Sequence, residues 1–124
     1  MRQLPNIMAQ SIVIVDIEST CWKKNPPPGE QSEIIEIGVC LLDLESLEIS
    51  GKRSLIVKPA RSKVSAFCTE LTTLTQEQVN VGMSFADTCA ILEHDYATKA
   101  RTWASWGAYD LRMFTAQCES FAVP

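Results

Sequence analysis

The run SIVIVD, residues 11–16, constrains the fold more than any other stretch of this 124-residue chain. It is apolar and rich in β-branched side chains, a pattern typical of a β-strand that is covered on both faces. The run ends on Asp16, and Glu18 follows after one further apolar residue. The sequence therefore predicts a buried strand that leads directly into two carboxylates.

Asp16 and Glu18 are spaced so that they point to the same side of a strand, because side chains alternate between its two faces. Two carboxylates this close repel each other unless a cation lies between them or one is protonated. Their oxygens are hard ligands that suit Mg²⁺ or Mn²⁺. A lone D-x-E pair is also typical of a solvated loop, but the apolar strand before it and the small hydroxyl residues Ser19 and Thr20 after it favour a metal site.

Two further strands are predicted after a proline-rich loop. Pro26, Pro27 and Pro28 exclude a helix or a central strand from that loop. Residues 33–43 and 51–57 then show apolar, strand-forming patterns, and the short segment between them suits a hairpin. We therefore expect the first three strands to form an antiparallel meander.

The second half of the chain has a helix-like periodicity. Residues 71–79 predict two short helical turns with Thr75 as an N-cap, and Ser84 predicts the capped start of a longer helix. A fourth strand is expected at residues 101–106, followed by a last helix from Tyr109. This order of elements predicts an α/β fold with a mixed sheet flanked by helices.

The composition fits one soluble intracellular domain. At 124 residues and 46% hydrophobic, the chain is long enough for one core, so residues 1–124 are predicted to form a single domain. No segment has the length and hydrophobicity of a membrane span or a secretory leader, so no membrane partner is expected. The five cysteines are odd in number and lack C-x-x-C spacing, which favours free thiols in a reducing cytoplasm.

The charge distribution limits how the chain can bind nucleic acid. A net charge of -4 and a pI near 4.9 argue against binding through bulk positive charge. A metal-dependent nuclease is still compatible, because its carboxylates make the site acidic. Residues 51–63 contain no acid and are interpreted as a solvated hairpin edge or as a phosphate-facing surface. The cations of this stretch are Lys52, Arg53, Lys58, Arg61 and Lys63.

Two classes of enzyme place acids at the end of an apolar strand. Haloacid-dehalogenase-like phosphatases use D-x-D-x-T, with the first Asp as nucleophile, but here Glu18 replaces the second Asp and the predicted meander does not suit their parallel sheet. Two-metal nucleases use carboxylates to hold the metals and need further acids from elsewhere in the chain. Asp110, where the fourth strand passes through Gly107 into a helix, is a candidate third acid, although acids are also common at helix N-termini.

With these residues in order, the chain resembles the DEDD exonuclease superfamily of the DEDDh type, in the branch with small-RNA- and histone-messenger-trimming enzymes and their bacterial relatives. The resembling segments are IVIVDIESTCW, SEIIEIGVCLLDLE, FCTELTTLTQEQV and WASWGAYDLRMFTAQC. They span nearly the whole chain in the expected order. The resemblance implies a ribonuclease-H-like fold and metal-dependent 3′-to-5′ hydrolysis of RNA or single-stranded DNA.

The resemblance also implies roles for individual residues. Asp16, Glu18 and Asp110 would be the catalytic acids that hold two Mg²⁺ or Mn²⁺ ions. The stretch from Glu18 to Trp22 would line the pocket of the 3′-terminal nucleotide, with Thr20 near its sugar. The residues implied in substrate binding are Thr20, Cys21, Trp22, Glu70, Leu71 and Thr72. For Leu71, burial in the core is an equal alternative.

The sequence departs from the family pattern in its third motif. Relatives supply a general-base His and a fourth metal-binding Asp after the second motif, and this chain contains neither. His94 lies before the fourth strand and is interpreted as an ordinary surface helix residue. We therefore expect the fold to be incomplete at its C-terminus and the activity to be weak or absent. The alternative is a non-catalytic nucleic-acid-binding or regulatory module of the same fold.

Overall fold

The computed structural model describes residues 11–124; the part of the predicted domain at residues 1–10 lies outside the described residues. Four strands and four helices follow one another in the described part of the chain. In chain order they are β1 (Ser11–Ser19), β2 (Ile34–Asp43), β3 (Ile49–Ile56), α1 (Ala66–Thr72), α2 (Gln76–Asn80), α3 (Phe85–Tyr96), β4 (Trp103–Ala104) and α4 (Tyr109–Ser120).

The four strands form one mixed sheet in the order β3-β2-β1-β4. β1 pairs antiparallel with β2, and β2 pairs antiparallel with β3. β4 lies on the other side of β1 and runs parallel to it, with Val13 opposite Trp103 and Ile14 opposite Ala104. The predicted α/β architecture with an antiparallel meander is therefore confirmed.

One face of β1 is buried and the other is partly open. Val13, Val15 and Ile17 lie in the core, whereas Ile14 is half-buried and Asp16 is exposed. The expectation that β1 is covered on both faces is therefore wrong for its second face. The alternation between buried and partly open positions is not visible in the sequence, because isoleucine also occupies the partly open positions 12 and 14.

Two hydrophobic clusters hold helices against opposite faces of β2. Ile34 belongs to the larger cluster, which also contains residues of α3 and α4. This cluster includes the edge-to-face pair Phe85 and Phe114, whose ring centroids are 5.7 Å apart. Ile35 points the other way and packs with residues of α1 and α2. The helix pair α1 and α2 thus lies against the sheet near the end of β1 that carries the acids.

The predicted helix caps are confirmed. The Thr75 hydroxyl accepts from the Gln78 N–H at 3.2 Å in a complete capping box, and the Ser84 hydroxyl accepts from the Asp87 N–H at 3.1 Å. The turns predicted at residues 71–79 belong to two separate helices, α1 and α2. The first of these helices begins before the predicted range, at Ala66.

The fourth strand is shorter than predicted, with two residues instead of the six at 101–106. After Ala104 the chain turns away from β1 through Gly107, whose φ of 80° is a left-handed conformation that favours glycine. In the part of the chain that the structure describes, no helix is long and apolar enough to cross a membrane.

Candidate active site

The last residues of β1 carry the two acids that the sequence singled out. Asp16 is exposed and Glu18 is half-buried, both on the partly open face of the sheet. The register with β2 shifts directly after Glu18, because Glu18 pairs with Glu36 while Ser19 pairs with Ile34. Such a bulge changes the direction of the side chains beside it and is common next to active sites.

Asp110 reaches the same edge from the first turn of α4. Its side chain is only 7% exposed, and its Oδ2 accepts a hydrogen bond from the Ile17 N–H at 3.2 Å. Since β4 ends at Ala104, opposite Ile14, this part of β1 has no strand partner on that side. The carboxylate of Asp110 instead accepts a backbone N–H that a neighbouring strand would otherwise bond. That N–H belongs to Ile17, which lies between Asp16 and Glu18 in the sequence.

The carboxylates at this edge influence one another. Burial is the largest cause of the raised pKa of Glu18, and the negative charges of Asp16, Glu36 and Asp110 raise it further. Burial also raises the pKa of Asp110, with a smaller contribution from the charge of Asp16, while the hydrogen bond from Ile17 opposes the shift. A cation bound here would relieve this repulsion.

The donor chemistry of Asp16, Glu18 and Asp110 fits a hard divalent cation, since carboxylate oxygens are the ligands that Mg²⁺ and Mn²⁺ prefer. Among residues 11–124, however, no three Asp, Glu, His or Cys side chains already converge as a metal-binding group. The structure therefore brings the three predicted acids to one edge of the sheet without gathering them around a single point.

Glu36 was missed by sequence reasoning as a member of this site. It lies opposite Glu18 on β2, and its Oε2 accepts from the Ser54 hydroxyl at 3.1 Å. Like charges directly opposite each other in a sheet are destabilising. The predicted antiparallel pairing of the first two strands was the only available signal, and it does not fix the register.

Thr20 is placed differently from the expectation. It is fully buried, and its hydroxyl accepts from the Glu33 N–H at 2.9 Å and contacts the Ser62 hydroxyl at 2.9 Å. The predicted contact between Thr20 and the sugar of a terminal nucleotide does not fit this position. Thr20 instead fastens the end of β1 to two other segments of the chain.

Glu33 is a second residue near the site whose role the sequence did not indicate. Its buried carboxylate accepts the backbone N–H groups of Ala60 and Arg61, at 3.0 and 2.8 Å, and the Ser62 hydroxyl at 2.5 Å. These bonds fix the loop after β3 to the residue before β2, which Thr20 links to the end of β1. A charged residue in the predicted strand gave no sign of this role.

Ser19 is contacted from two sides by the helices that flank the site. Its hydroxyl lies 2.9 Å from the Tyr109 hydroxyl of α4, and its carbonyl accepts from the Cys68 thiol of α1 at 3.6 Å. Leu71 of α1 is 65% exposed, so the alternative of core burial is wrong. Tyr109 is 51% exposed. Each of the two helices that contact Ser19 therefore carries an exposed side chain, Leu71 on α1 and Tyr109 on α4.

The remaining predicted substrate-binding residues differ in availability. Glu70 is exposed, and Trp22 is half-buried. The Thr72 hydroxyl donates to the Cys68 carbonyl at 2.8 Å, within α1. Burial and a hydrogen bond with Cys68 raise the pKa of the half-buried Cys21 thiol to about 11, so it is protonated at neutral pH.

Two of the cations in residues 51–63 are held by other parts of the protein. Arg53 forms an ion pair with Asp95 of α3 at 2.7 Å, and the Arg61 guanidinium donates to the hydroxyl and carbonyl of Ser120, both at 3.0 Å. Arg53, on β3, therefore supports the hairpin-edge interpretation, whereas Arg61 lies in the loop after β3 and is bonded to the end of α4. His94 is exposed on α3, as predicted, with its Nδ1 2.7 Å from the Asp95 carboxylate.

Comparison with known proteins agrees with this geometry. A family model described as Exonuclease (RNase_T) matches residues 13–121. The Drosophila melanogaster 3′-5′ exonuclease Snipper is 39% identical over 74 residues, covering 58% of this chain and 26% of the relative. Human 3′-5′ exoribonuclease 1 is 41% identical over 75 residues, covering 60% of this chain and 21% of the relative. The chain thus spans about a quarter or less of these relatives.

Solved structures show the same fold. The nuclease domain of 3′hExo, a DEDDh family member bound to rAMP, matches with a TM-score of 0.81 and 30% identity, covering 94% of this chain and 62% of that one. E. coli exonuclease I in complex with an oligonucleotide matches with a TM-score of 0.65 and 12% identity, covering 85% of this chain and 22% of that one. The second likeness concerns the fold alone. The predicted resemblance and ribonuclease-H-like fold are confirmed.

Proposed function

We propose that this chain, which belongs to the Exonuclease family, hydrolyses RNA or single-stranded DNA from the 3′ end with the help of Mg²⁺ or Mn²⁺. The observation that carries the proposal is the contact between Asp110 and the Ile17 N–H, because it unites acids that are 92 positions apart in the sequence at Glu18 and Asp110. The names of the relatives, which are 3′-5′ exonucleases, support the reaction class.

Asp16, Glu18 and Asp110 would hold the metal ions. When bound, divalent ions at such a site polarise the phosphodiester and activate water. The protein contributes the rigid placement of the carboxylates, since two belong to one strand and the third is fastened to that strand by a hydrogen bond. The protein also places several carboxylates close together, so that a bound cation would offset the repulsion between their negative charges.

The 3′-terminal nucleotide would lie between α1 and α4. Leu71 and Tyr109 are exposed on the two helices that contact Ser19, and apolar and aromatic side chains offer faces on which a base can stack. Glu70 is exposed beside Leu71 and would approach the ribose. Thr20 is buried and would stabilise the end of β1 instead of touching the substrate.

Turnover by these 124 residues alone would be slow. The sequence contains one histidine, His94, which is exposed on α3 and paired with Asp95. It is not among the residues that contact the acids, so these residues provide no histidine as a general base. General bases contribute ~10²–10⁴ in rate. The position of His94 on α3, paired with Asp95, also favours a second candidate function, a module that binds single strands without cleaving them.

The decisive experiment combines cleavage and metal binding. A 3′-labelled single strand is incubated with Mn²⁺ and wild-type protein, Asp16→Asn, or the matched control Asp87→Asn, an exposed acid on α3. Mn²⁺ binding is measured in parallel by calorimetry. The nuclease proposal expects slow cleavage and Mn²⁺ binding by the wild type and the control, both lost in Asp16→Asn.

Strand binding without any cleavage would instead support the binding module. Wild-type protein that binds neither Mn²⁺ nor single strands would contradict both functions.

A further inference from the structure

Trp106 is almost completely exposed, at 99% of its surface. The other two tryptophans, Trp22 and Trp103, are half-buried. Trp103 donates from Nε1 to the Thr98 carbonyl at 2.6 Å and packs edge-to-face on Phe114 at 5.2 Å. Packing within the described chain therefore explains Trp103 but leaves the ring of Trp106 in solvent.

Trp106 lies at the edge of the sheet that carries the acids. It follows β4 by two residues, and β4 runs parallel to β1, so the loops after these strands meet at the same edge. Asp110, which bonds to Ile17, is four residues further on. Four extended residues span at most ~14 Å, which sets the largest separation between the backbones of Trp106 and Asp110.

The loop that carries Trp106 has a defined conformation. The Ser105 hydroxyl donates to the Gly107 carbonyl at 3.0 Å across the tryptophan, and Gly107 has a φ of 80°. An ordered loop loses less conformational entropy when its side chain binds a ligand. The indole of Trp106 is therefore already held in an exposed position before a ligand binds.

A single-stranded nucleic acid fits this surface by chemistry. The protein has a net charge of -4, so away from the metal ions that the acids would hold, electrostatic attraction to phosphates contributes little. Affinity for nucleotides upstream of those ions must then come from contacts that do not depend on charge. Stacking of a base on an aromatic ring is such a contact, and it tolerates any base because each has a π-face.

We propose that Trp106 stacks on a base upstream of the 3′-terminal nucleotide and so favours strands over single nucleotides as ligands. This inference rests on the proposed function and deepens it. Tyr109 and Leu71 belong to the two helices that contact Ser19 and would serve the terminal nucleotide, whereas Trp106 lies on the loop before α4. Trp106 is thus a specificity-determining residue for strand length.

The test compares binding of an eight-nucleotide strand and of a nucleoside monophosphate. Fluorescence anisotropy and calorimetry are recorded in Ca²⁺, which limits cleavage, for wild-type protein, Trp106→Ala, Trp106→Phe and the exposed apolar control Val81→Ala. Trp106→Ala is expected to bind the strand about 5- to 150-fold more weakly. Monophosphate binding is unchanged, Trp106→Phe retains most of the affinity, and Val81→Ala matches the wild type.

A strand with abasic second and third positions from the 3′ end provides a further readout. It should weaken binding to the wild type but cause little additional loss in Trp106→Ala. Equal strand binding by wild type and Trp106→Ala overturns the inference and leaves the proposed function intact. Wild type that binds no strand overturns both. A change in sedimentation mass without a change in strand binding assigns Trp106 to a contact between copies, which also overturns it.

Discussion

The Asp110 carboxylate accepts the backbone N–H of Ile17 at 3.2 Å, joining the first turn of α4 to β1. The contact has two consequences. It satisfies an edge N–H that the short β4 does not reach, and it holds an acid beside Asp16 and Glu18. The same residue is therefore structural and a candidate metal ligand, and substitutions can separate the two roles.

Asp110→Asn and Asp110→Ala should differ in stability and agree in activity. Asparagine retains an oxygen for the Ile17 N–H, whereas alanine leaves that buried donor without a partner, at a cost of ~1–3 kcal/mol. Both substitutions remove the charged ligand, so Mn²⁺-dependent cleavage should be lost in both. Urea unfolding and the 3′-label assay measure the two effects.

Equal unfolding midpoints for the two variants would contradict the structural role of the hydrogen bond. Unchanged cleavage by Asp110→Asn would contradict the assignment of Asp110 as a ligand. Arg112→Ala, at an exposed position on the same helix, serves as the control for general damage to α4.

Glu18 should make the metal-free protein less stable at neutral pH. Its folded-state pKa is raised above 4.5, mainly by burial, so protonation favours the folded state. This contribution is complete below the unfolded pKa and is lost as the pH rises through the raised one. In EDTA, Glu18→Gln should therefore melt higher than the wild type at about pH 7 and equally at about pH 4.

Thermal unfolding at both pH values measures this difference, and Mn²⁺ provides the complement. The ion should raise the melting temperature of the wild type at neutral pH and leave that of Glu18→Gln nearly unchanged. A Glu18→Gln protein that melts below the wild type in EDTA at neutral pH would contradict the raised pKa of Glu18 and the instability argued from it.

The sequence predicted those parts of the fold that depend on neighbouring residues. The N-caps Thr75 and Ser84 are confirmed, because a capping hydroxyl acts on an N–H three positions away. The placement of Asp16 and Glu18 on one face of β1 is likewise a property of strand geometry. Such signals are contained in a window of a few residues.

Contacts between distant segments were not predictable in this way. The buried position of Thr20 depends on Ser62, 42 residues away, and the hydrogen bond that holds Asp110 against β1 joins residues 93 positions apart. Glu33 looked like an ordinary polar residue at the start of a strand, yet it holds a loop 27 to 29 residues further on. Only the folded chain brings these groups together.

Glu33→Ala should be strongly destabilising. It would leave the N–H groups of Ala60 and Arg61 and the hydroxyl of Ser62 without their carboxylate partner. Hydrogen bonds to charged groups contribute ~1.5–3 kcal/mol each, so a loss of about 3 kcal/mol or more is expected. Urea unfolding measures it, with the exposed Glu45→Ala as control; equal stability of the two variants would refute the prediction.

Arg61 should stabilise the C-terminal end of α4 through its side chain. The guanidinium donates to the Ser120 hydroxyl and carbonyl, both at 3.0 Å, and lies 4.0 Å from the centroid of the Phe121 ring. A planar guanidinium makes both contacts at once, which a lysine ammonium does not reproduce. Arg61→Ala and Arg61→Lys should therefore each lower the free energy of unfolding by ~1–2 kcal/mol.

The exposed cation Lys52 offers the matched control, since Lys52→Ala should change the free energy of unfolding by less than ~0.5 kcal/mol. Hydrogen exchange adds a local readout, because the amides of the last turn of α4 should exchange faster in Arg61→Ala while those of β1 do not. If Arg61→Ala instead weakened strand binding and left unfolding and exchange unchanged, Arg61 would belong to a phosphate-facing surface. The structure favours the first outcome, because the guanidinium is already bonded to α4 and its charge lies over an aromatic ring.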